Sequence, residues 1–452
     1  MKIHLIGIGG IGISALAQYY LSKGHQVSGS DLVASEITDF LTKKGIKVMI
    51  GNSAENLNGD FSAQGGPASG WDLVVYSPAV KPSNPEYKRA KKLGIKMQSY
   101  PEALGDLTKE YYTIAVAGAH GKSTTTAMIG LLLAGAGLDP TVIVGTKVKE
   151  FSAQGGPASG WGSNFRAGNS KMLVIEACEY DSSFLRYSPK IIVVTNVDKE
   201  HLDFFKTFAN VKKAFADFIM RLPSDGFLVM NEDDENFQIS NLELNSNFKF
   251  QISNFSFGQP EAKKIKSILK VPGQHNVSNA LATLQVARVL EIPDQVSFRA
   301  LSEFNGTWRR FEEYSSKFKD LKIISDYAHH PNEILATLQA ARERYKNKRI
   351  WCVFQPHQHQ RTNYLFNDFV EVFRSALADQ IIITDIYDVA GRETKTINAK
   401  VSSKKLVEKI NRKNVAYMAM ANLEEYIKAN IKSGQVLIIM GAGDIYKLAD
   451  KF

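Results

Sequence analysis

Lys122 and Ser123 close the run Gly118-Ala119-His120-Gly121-Lys122-Ser123-Thr124, which lies between an apolar stretch, Ile114–Ala117, and the apolar Met128–Leu133. The layout is strand, glycine loop, helix. Small residues let the backbone turn so that successive N–H groups and the helix N-terminus converge on one anion. A lysine at that point adds positive charge at the β- and γ-phosphates of a nucleoside triphosphate, and the hydroxyl beside it can ligate Mg²⁺. The usual spacing has another glycine five residues before Gly121, where this chain has Val116, so the loop is a variant form. The bland alternative is an ordinary glycine turn before a helix.

Two further apolar runs end in ligating residues. Lys171–Glu176 leads into Glu176-Ala177-Cys178-Glu179, and Ile191–Thr195 into Asn196-Val197-Asp198-Lys199-Glu200-His201. Mg²⁺ takes oxygens, keeps waters and uses few protein ligands. With Ser123, the candidates for a Mg²⁺ site (Mn²⁺ as the alternative ion) are Glu179 and His201, and Glu176 is the alternative carboxylate; helix capping would use the same residue types. Asn276 and Asn279 are three apart at the start of a helix reaching Leu290, so they share a face. Their amides could read an adenine edge or cap the helix. Arg309-Arg310, between Trp308 and Phe311, suits a phosphate or carboxylate clamp, or a solvated domain hinge.

The N-terminus carries a second glycine loop. The strand Lys2–Ile6 is followed by G-x-G-x-x-G at Gly7, Gly9 and Gly12, a helix over about Ser14–Lys23, and a strand His25–Ser30 ending at Asp31. Such a βαβ opening holds a diphosphate at its glycines and a ribose at the acidic residue, which on its own suggests NAD. Asp72–Tyr76 is a strand ending in Ser77-Pro78-Ala79, where a serine can touch a ligand or simply turn the chain.

The elements that position these residues recur along all 452 residues. Aliphatic runs alternate with helical stretches, which predicts an α/β protein of mainly parallel sheets in about three domains: a Rossmann-like domain over 1–106, a central P-loop ATPase domain over 107–312 and a Rossmann-like C-terminal domain over 313–452. In the last, Lys322–Ser325 ends in Asp326-Tyr327-Ala328-His329-His330, Ile350–Phe354 precedes Gln355–Thr362, and Val436–Met440 ends in Gly441-Ala442-Gly443-Asp444. His329, His330, His357 and His359 fit no structural zinc spacing. The net charge of +9 is scattered, with no basic block for nucleic acid, and suits an enzyme gathering phosphates and carboxylates. Two cysteines make no disulfide framework and suit a reducing cytoplasm; no apolar run reaches a membrane span, and the N-terminus lacks a signal-peptide layout. Phe61–Trp71 and Phe151–Trp161 are identical, FSAQGGPASGW. Both are expected to be loop insertions without a chemical role.

Taken together, GIGGIGIS (Gly7–Ser14), SPAV (Ser77–Val80), GAHGKST (Gly118–Thr124), EACEYDSSFL (Glu176–Leu185), TNVDKEHLD (Thr195–Asp203), GQHNVSNAL (Gly273–Leu281), RRFE (Arg309–Glu312), DYAHHP (Asp326–Pro331), FQPHQHQRT (Phe354–Thr362) and GAGDI (Gly441–Ile445) resemble the Mur ligases in content and order. The resemblance implies ATP-dependent amide formation through an acyl phosphate, joining L-alanine to the lactyl carboxylate of UDP-N-acetylmuramate in peptidoglycan precursor synthesis. A ligase recycling a murein tripeptide, or another amino-acid ligase of the Mur type, is the alternative. It assigns the first glycine loop to the UDP-sugar rather than NAD, through Gly9, Gly10, Ile11, Ser14, Asp31, Ser77 and Pro78. It gives ATP to Gly118, Ala119, His120, Gly121, Lys122, Ser123, Thr124, Asn276, Asn279, Arg309 and Asp326. The catalytic groups it implies are Lys122, His201, Arg361 and His330. A monomer or weak dimer is expected, with closure about hinges near Leu104–Thr108 and Arg310–Tyr314. Cys178 stands where the family has an aspartate, and Gln358 and His359 where alanine-adding members more often have Arg and an aromatic.

Overall fold

The computed structural model describes residues 1–58, 70–153, 162–236, 238, 249–316, 318–388 and 400–452. It is an α/β protein with three sheets. The first comprises β1 (Lys2–Ile6), β2 (Gln26–Asp31), β3 (Lys47–Ile50), β4 (Leu73–Tyr76) and β5 (Met97–Ser99) in the order β3-β2-β1-β4-β5, all parallel. The second comprises β6 (Tyr112–Ala117), β7 (Thr141–Val148), β8 (Ser163–Arg166), β9 (Met172–Glu176), β10 (Ile191–Val194), β11 (Phe227–Asn231) and β12 (Gln251–Phe255), in the order β12-β11-β10-β6-β9-β7-β8. Its β8 runs antiparallel to β7. The third comprises β13 (Glu312–Ser315), β14 (Lys322–Asp326), β15 (Ile350–Phe354), β16 (Gln380–Ile383), β17 (Val415–Tyr417) and β18 (Val436–Met440), in the order β13-β14-β18-β15-β16-β17, with β13 antiparallel.

The strands are aliphatic because both faces of a parallel sheet are covered. In β15, Ile350, Cys352 and Phe354 join one apolar cluster with Ile324, Ile438 and Phe369, while Trp351 and Val353 join another with Ile323, Leu437 and Ile427. Successive residues of a strand point to opposite faces, so one five-residue run feeds both cores.

The chain divides into two compact units. One holds Met1–Asp198, Lys212–Ser256 and Ala282–Ala300, and the other Lys199–Val211, Phe257–Leu281 and Leu301–Phe452. The first unit contains the first two sheets, joined by a buried polar seam. Asn164 on β8 donates to the carbonyl of Ile11 and, at 2.8 Å, to the hydroxyl of Ser14, and its side-chain oxygen accepts from Gln18 at 2.7 Å. Lys147, at the end of β7, pairs with Glu36 at 2.8 Å. Among the described residues, no helix is long and apolar enough to cross a membrane.

The repeats fall largely outside the described residues, but one end of each is visible. Trp71 is buried against Ile6, Leu57 and Val74, donates to the carbonyl of Leu57 at 3.2 Å, and meets the ring of His4 edge-on at 5.4 Å. Phe151, the first residue of the second copy, is also buried.

Candidate active site

The phosphate-type loop stands at the carboxyl end of β6, the central strand of its sheet, and leads into the helix Lys122–Gly135. Its turn depends on two left-handed glycines, Gly118 at φ 140° and Gly121 at φ 84°, where a side chain would be strained. The loop is braced from β10. Asn196 accepts from the backbone N–H of His120 at 2.9 Å and returns its amide to the His120 carbonyl at 3.0 Å. Thr195 donates to that same carbonyl at 2.6 Å, and the His120 ring contacts Asp198 at 3.2 Å. The strand-end polar cluster therefore holds the loop in shape, a role the sequence reading did not give it.

Lys122 folds over the loop, donating to the carbonyls of Gly118 at 2.5 Å and Ala119 at 3.1 Å, and pairs with Glu179 at 3.0 Å. Burial works against its charge, but Glu179, with Cys178 and Glu176 behind it, outweighs burial and raises the Lys122 pKa. A cation at this point persists over the whole working range of pH. The Ser123 hydroxyl donates to Glu176 at 2.9 Å, and the same carboxylate oxygen accepts from the Gly145 N–H at 2.9 Å. A Cβ on Gly145 would lie 2.7 Å from that oxygen, so glycine is needed there for the carboxylate to reach Ser123. The donor set Ser123, Glu176 and Glu179 is all oxygen, with two carboxylates, and fits Mg²⁺. Cys178 does not extend it: burial, then Glu179, pushes its thiol up to about 12, so it stays protonated.

In the same unit the N-terminal glycine loop is closed by Asp31, which accepts from the Gly9 N–H at 2.8 Å. Gly10 caps the helix Ile11–Ser22 and is exposed, as is Pro78. Ser77 is partly exposed, and its hydroxyl accepts from Ala79 N–H at 3.4 Å. Ser14 has a structural contact that the sequence did not announce. It lies on the buried face of its helix, donates to the carbonyl of Ile11 at 2.9 Å and receives Asn164, so its hydroxyl takes part in the seam between the sheets.

The other unit gathers the second group of predicted residues. His201 is left-handed, at φ 53°, and caps the short helix Leu202–Phe205. Next to it Glu200 is buried and pairs with Arg361 at 3.4 Å. Lys199, Glu200, His201, Gln358, Gln360 and Arg361 are among the residues lining one pocket. Burial alone would raise Glu200, yet Arg361, then His330 and His201, hold its carboxyl well below the usual range. His330 is buried at the head of the helix Pro331–Arg344, its Nδ1 accepting from Asn332 N–H at 3.4 Å. His329 beside it is pushed down to about 4 by burial and is neutral at physiological pH.

Arg309 and Asp326, expected at ATP, turn inward. The Arg309 guanidinium stacks over Tyr446 at 4.4 Å and Tyr327 at 4.9 Å, and donates to the carbonyls of Gly441 and Gly443. Asp326 accepts from the N–H groups of Phe311 and Ala328, both at 2.8 Å; burial raises its pKa to about 6. Both hold the chain where it enters the third sheet. Aromatic neighbours made Arg309 look like a clamp, and aromatic rings are what bury it. Asn276 donates to the Pro272 carbonyl at 2.7 Å, which is a helix-start contact, and Asn279 lies 3.5 Å from Asn276 on the same face.

A glycine loop with a charged lysine and hydroxyl, oxygen ligands at the neighbouring strand end, and a second polar pocket in a further α/β unit define an ATP-using ligase of the three-domain type. The chain belongs to the Mur ligase family. Its residues 2–112 match the Mur ligase family catalytic domain, 116–287 the Mur ligase middle domain, and 309–443 the Mur ligase glutamate ligase domain. UDP-N-acetylmuramate–L-alanine ligases from Acetivibrio thermocellus and Caldanaerobacter subterraneus are each 40% identical to it, over all of this chain and 95% and 97% of theirs. Among solved structures, the UDP-N-acetylmuramate-alanine ligase MurC of Thermotoga maritima superposes with a TM-score of 0.77 at 28% identity, covering 100% of this chain and 98% of that one. A MurF ligase from Thermotoga maritima in complex with ADP shares the fold at 15% identity and a TM-score of 0.56 over 85% of this chain and 88% of its own.

Proposed function

We propose that this chain joins L-alanine to the lactyl carboxylate of UDP-N-acetylmuramate at the expense of ATP, in the cytoplasm, as a step of peptidoglycan precursor synthesis. The observation that carries the reading is the Lys122–Glu179 and Ser123–Glu176 arrangement at the loop. It sets a permanent cation and a magnesium-type oxygen set at the head of the helix Lys122–Gly135, where a phosphate chain would bind. The full-length similarity to alanine-adding ligases selects the substrates.

The lactyl carboxylate oxygen attacks the γ-phosphorus and ADP leaves, giving an acyl phosphate. Lys122 and the loop N–H groups hold the charge that accumulates on the phosphoryl oxygens. Mg²⁺, when bound at Ser123 with Glu179 or Glu176, neutralises phosphate charge. The amine nitrogen of L-alanine then attacks the acyl carbon and inorganic phosphate departs. In this reading Arg361 takes the amino-acid carboxylate, and His201 and His330 act on the reacting groups. The first glycine loop, from Gly9 to Ile11 with Ser77 and Pro78, holds the UDP-sugar.

The test is ADP release with UDP-N-acetylmuramate, with and without L-alanine. Steady release only with both substrates is expected, and Lys122→Ala should abolish it. Alanine-independent turnover, or turnover only with a murein tripeptide as the amine, would overturn the assignment.

A further inference from the structure

Arg361 is held from two sides. Its Nη2 meets the carboxylate of Glu200 at 3.4 Å, and its Nη1 meets Nδ1 of His357 at 3.2 Å. His357 is itself fixed, its ring stacked on Tyr387 with centroids 5.5 Å apart and planes within 9°. The backbone repeats the anchor, since Gln358 N–H donates to the carbonyl of Tyr387 at 2.9 Å. Glu200 is almost wholly buried, and its carboxylate also accepts from the backbone N–H of His201 at 3.3 Å. An ionised carboxylate is placed in such a site only at a cost, and a nearby guanidinium offsets that cost.

We propose, on the reading above that Arg361 receives the amino acid, that Glu200 is its positioning residue: the carboxylate pins one tip of the guanidinium while His357 takes the other, leaving the fork aimed into the pocket. A free arginine side chain carries about 2 kcal/mol of rotamer entropy, so one that is already pinned loses less on binding a carboxylate. Two of the five N–H groups of a guanidinium are used in this way, and the rest suffice for a bidentate carboxylate. Glu200 does not touch the phosphoryl group in this scheme. Its loss therefore affects capture of the amino acid and not formation of the acyl phosphate.

The experiment compares Glu200→Gln with the wild-type chain. The expected result is a KM for L-alanine raised about 10- to 100-fold, the penalty of a misdirected contact, with KM for ATP and for UDP-N-acetylmuramate within about twofold. Acyl phosphate formed without alanine, trapped by hydroxylamine, should appear at the wild-type rate. In an Arg361→Lys background the same change should add little, because the group it orients is already gone. A KM for L-alanine that does not move overturns the proposal, as does a rise in all three KM values together or a slow acyl phosphate step. If Glu200→Gln does not fold, Glu200→Asp keeps the charge, withdraws it by one methylene and gives the same comparison, with an intermediate KM expected. A wild-type chain that traps acyl phosphate but ignores L-alanine would sink the substrate assignment instead; the comparison would then be run with the amino acid it accepts.

Discussion

At the scale of single residues, the loop chemistry depends on neighbours with no chemistry of their own. Gly145 is the sharpest case, because a methyl group there would occupy the place of the Glu176 carboxylate. Gly145→Ala should leave the fold intact, push Glu176 off Ser123 and reduce kcat for ADP release about 10- to 100-fold; unchanged turnover would show that Glu176 does not hold Ser123 for the reaction. Two histidines give a pH signature. His275 is pushed down to about 4 by burial, with Arg310 adding to the effect, and His329 likewise by burial. A histidine whose folded pKa lies below its unfolded value of about 6.5 stabilises the fold above 6.5, and that stability is lost as pH falls toward 4. Thermal unfolding should therefore show the wild type losing stability between pH 7 and pH 5. His275→Leu should lose about 1–2 kcal/mol less over that interval. The loop residues themselves were legible in the sequence because Gly118 to Thr124 are contiguous and their roles are local. Glu200 and Arg361 are 161 residues apart, and nothing in the spacing of TNVDKEHLD announces that its glutamate faces an arginine. The internal contacts of Arg309 and Asp326 were hidden for the same reason: residue type was readable, but Tyr446, Gly441 and Phe311, which those side chains meet, are distant in sequence or contribute only backbone.

At the scale of elements, β1, β15 and β18 were read to the residue, since a strand buried on both faces announces itself as an aliphatic run, while β3, β5, β11, β12 and β17 were not read. β8 was missed. Its residues, Ser163-Asn164-Phe165-Arg166, show no apolar alternation, yet all four are buried, because the helix Ile11–Ser22 covers them. Burial there is satisfied by hydrogen bonds rather than by apolar contact. Asn164 supports three partners on that helix, so Asn164→Ala should leave Gln18 and Ser14 without it and cost about 2–3 kcal/mol. Thermal unfolding measures this directly, and Asn164→Asp, which can still accept from Gln18 but cannot donate, should fall between the two. An unchanged melting temperature in Asn164→Ala would mean that water replaces the amide and that the seam does not couple the two sheets.

At the scale of the whole molecule, the duplicated eleven-residue segment raises the question of what the fold requires of it. The two copies are identical in sequence, and one aromatic end of each lies among the described residues. Trp71 closes the first copy and fills the core beneath β1 and β4, while Phe151 opens the second and lies buried near Gly130. Both copies are expected to be insertions without a chemical role, and Trp71 and Phe151 add a packing role at one end of each. Loop length costs little, of the order of 0.6 kcal/mol per doubling, whereas truncating a buried aromatic costs about 3–5 kcal/mol. Removing residues 61–70 and 152–161, with Trp71 and Phe151 kept, should therefore preserve both the melting temperature and alanine-dependent ADP release. Extending the first deletion by one residue to take Trp71 should cost several degrees, since the indole also holds the Leu57 carbonyl and packs on His4. If the shorter deletion folds but loses turnover, the segments carry chemistry, and a role for them at the site would have to be sought.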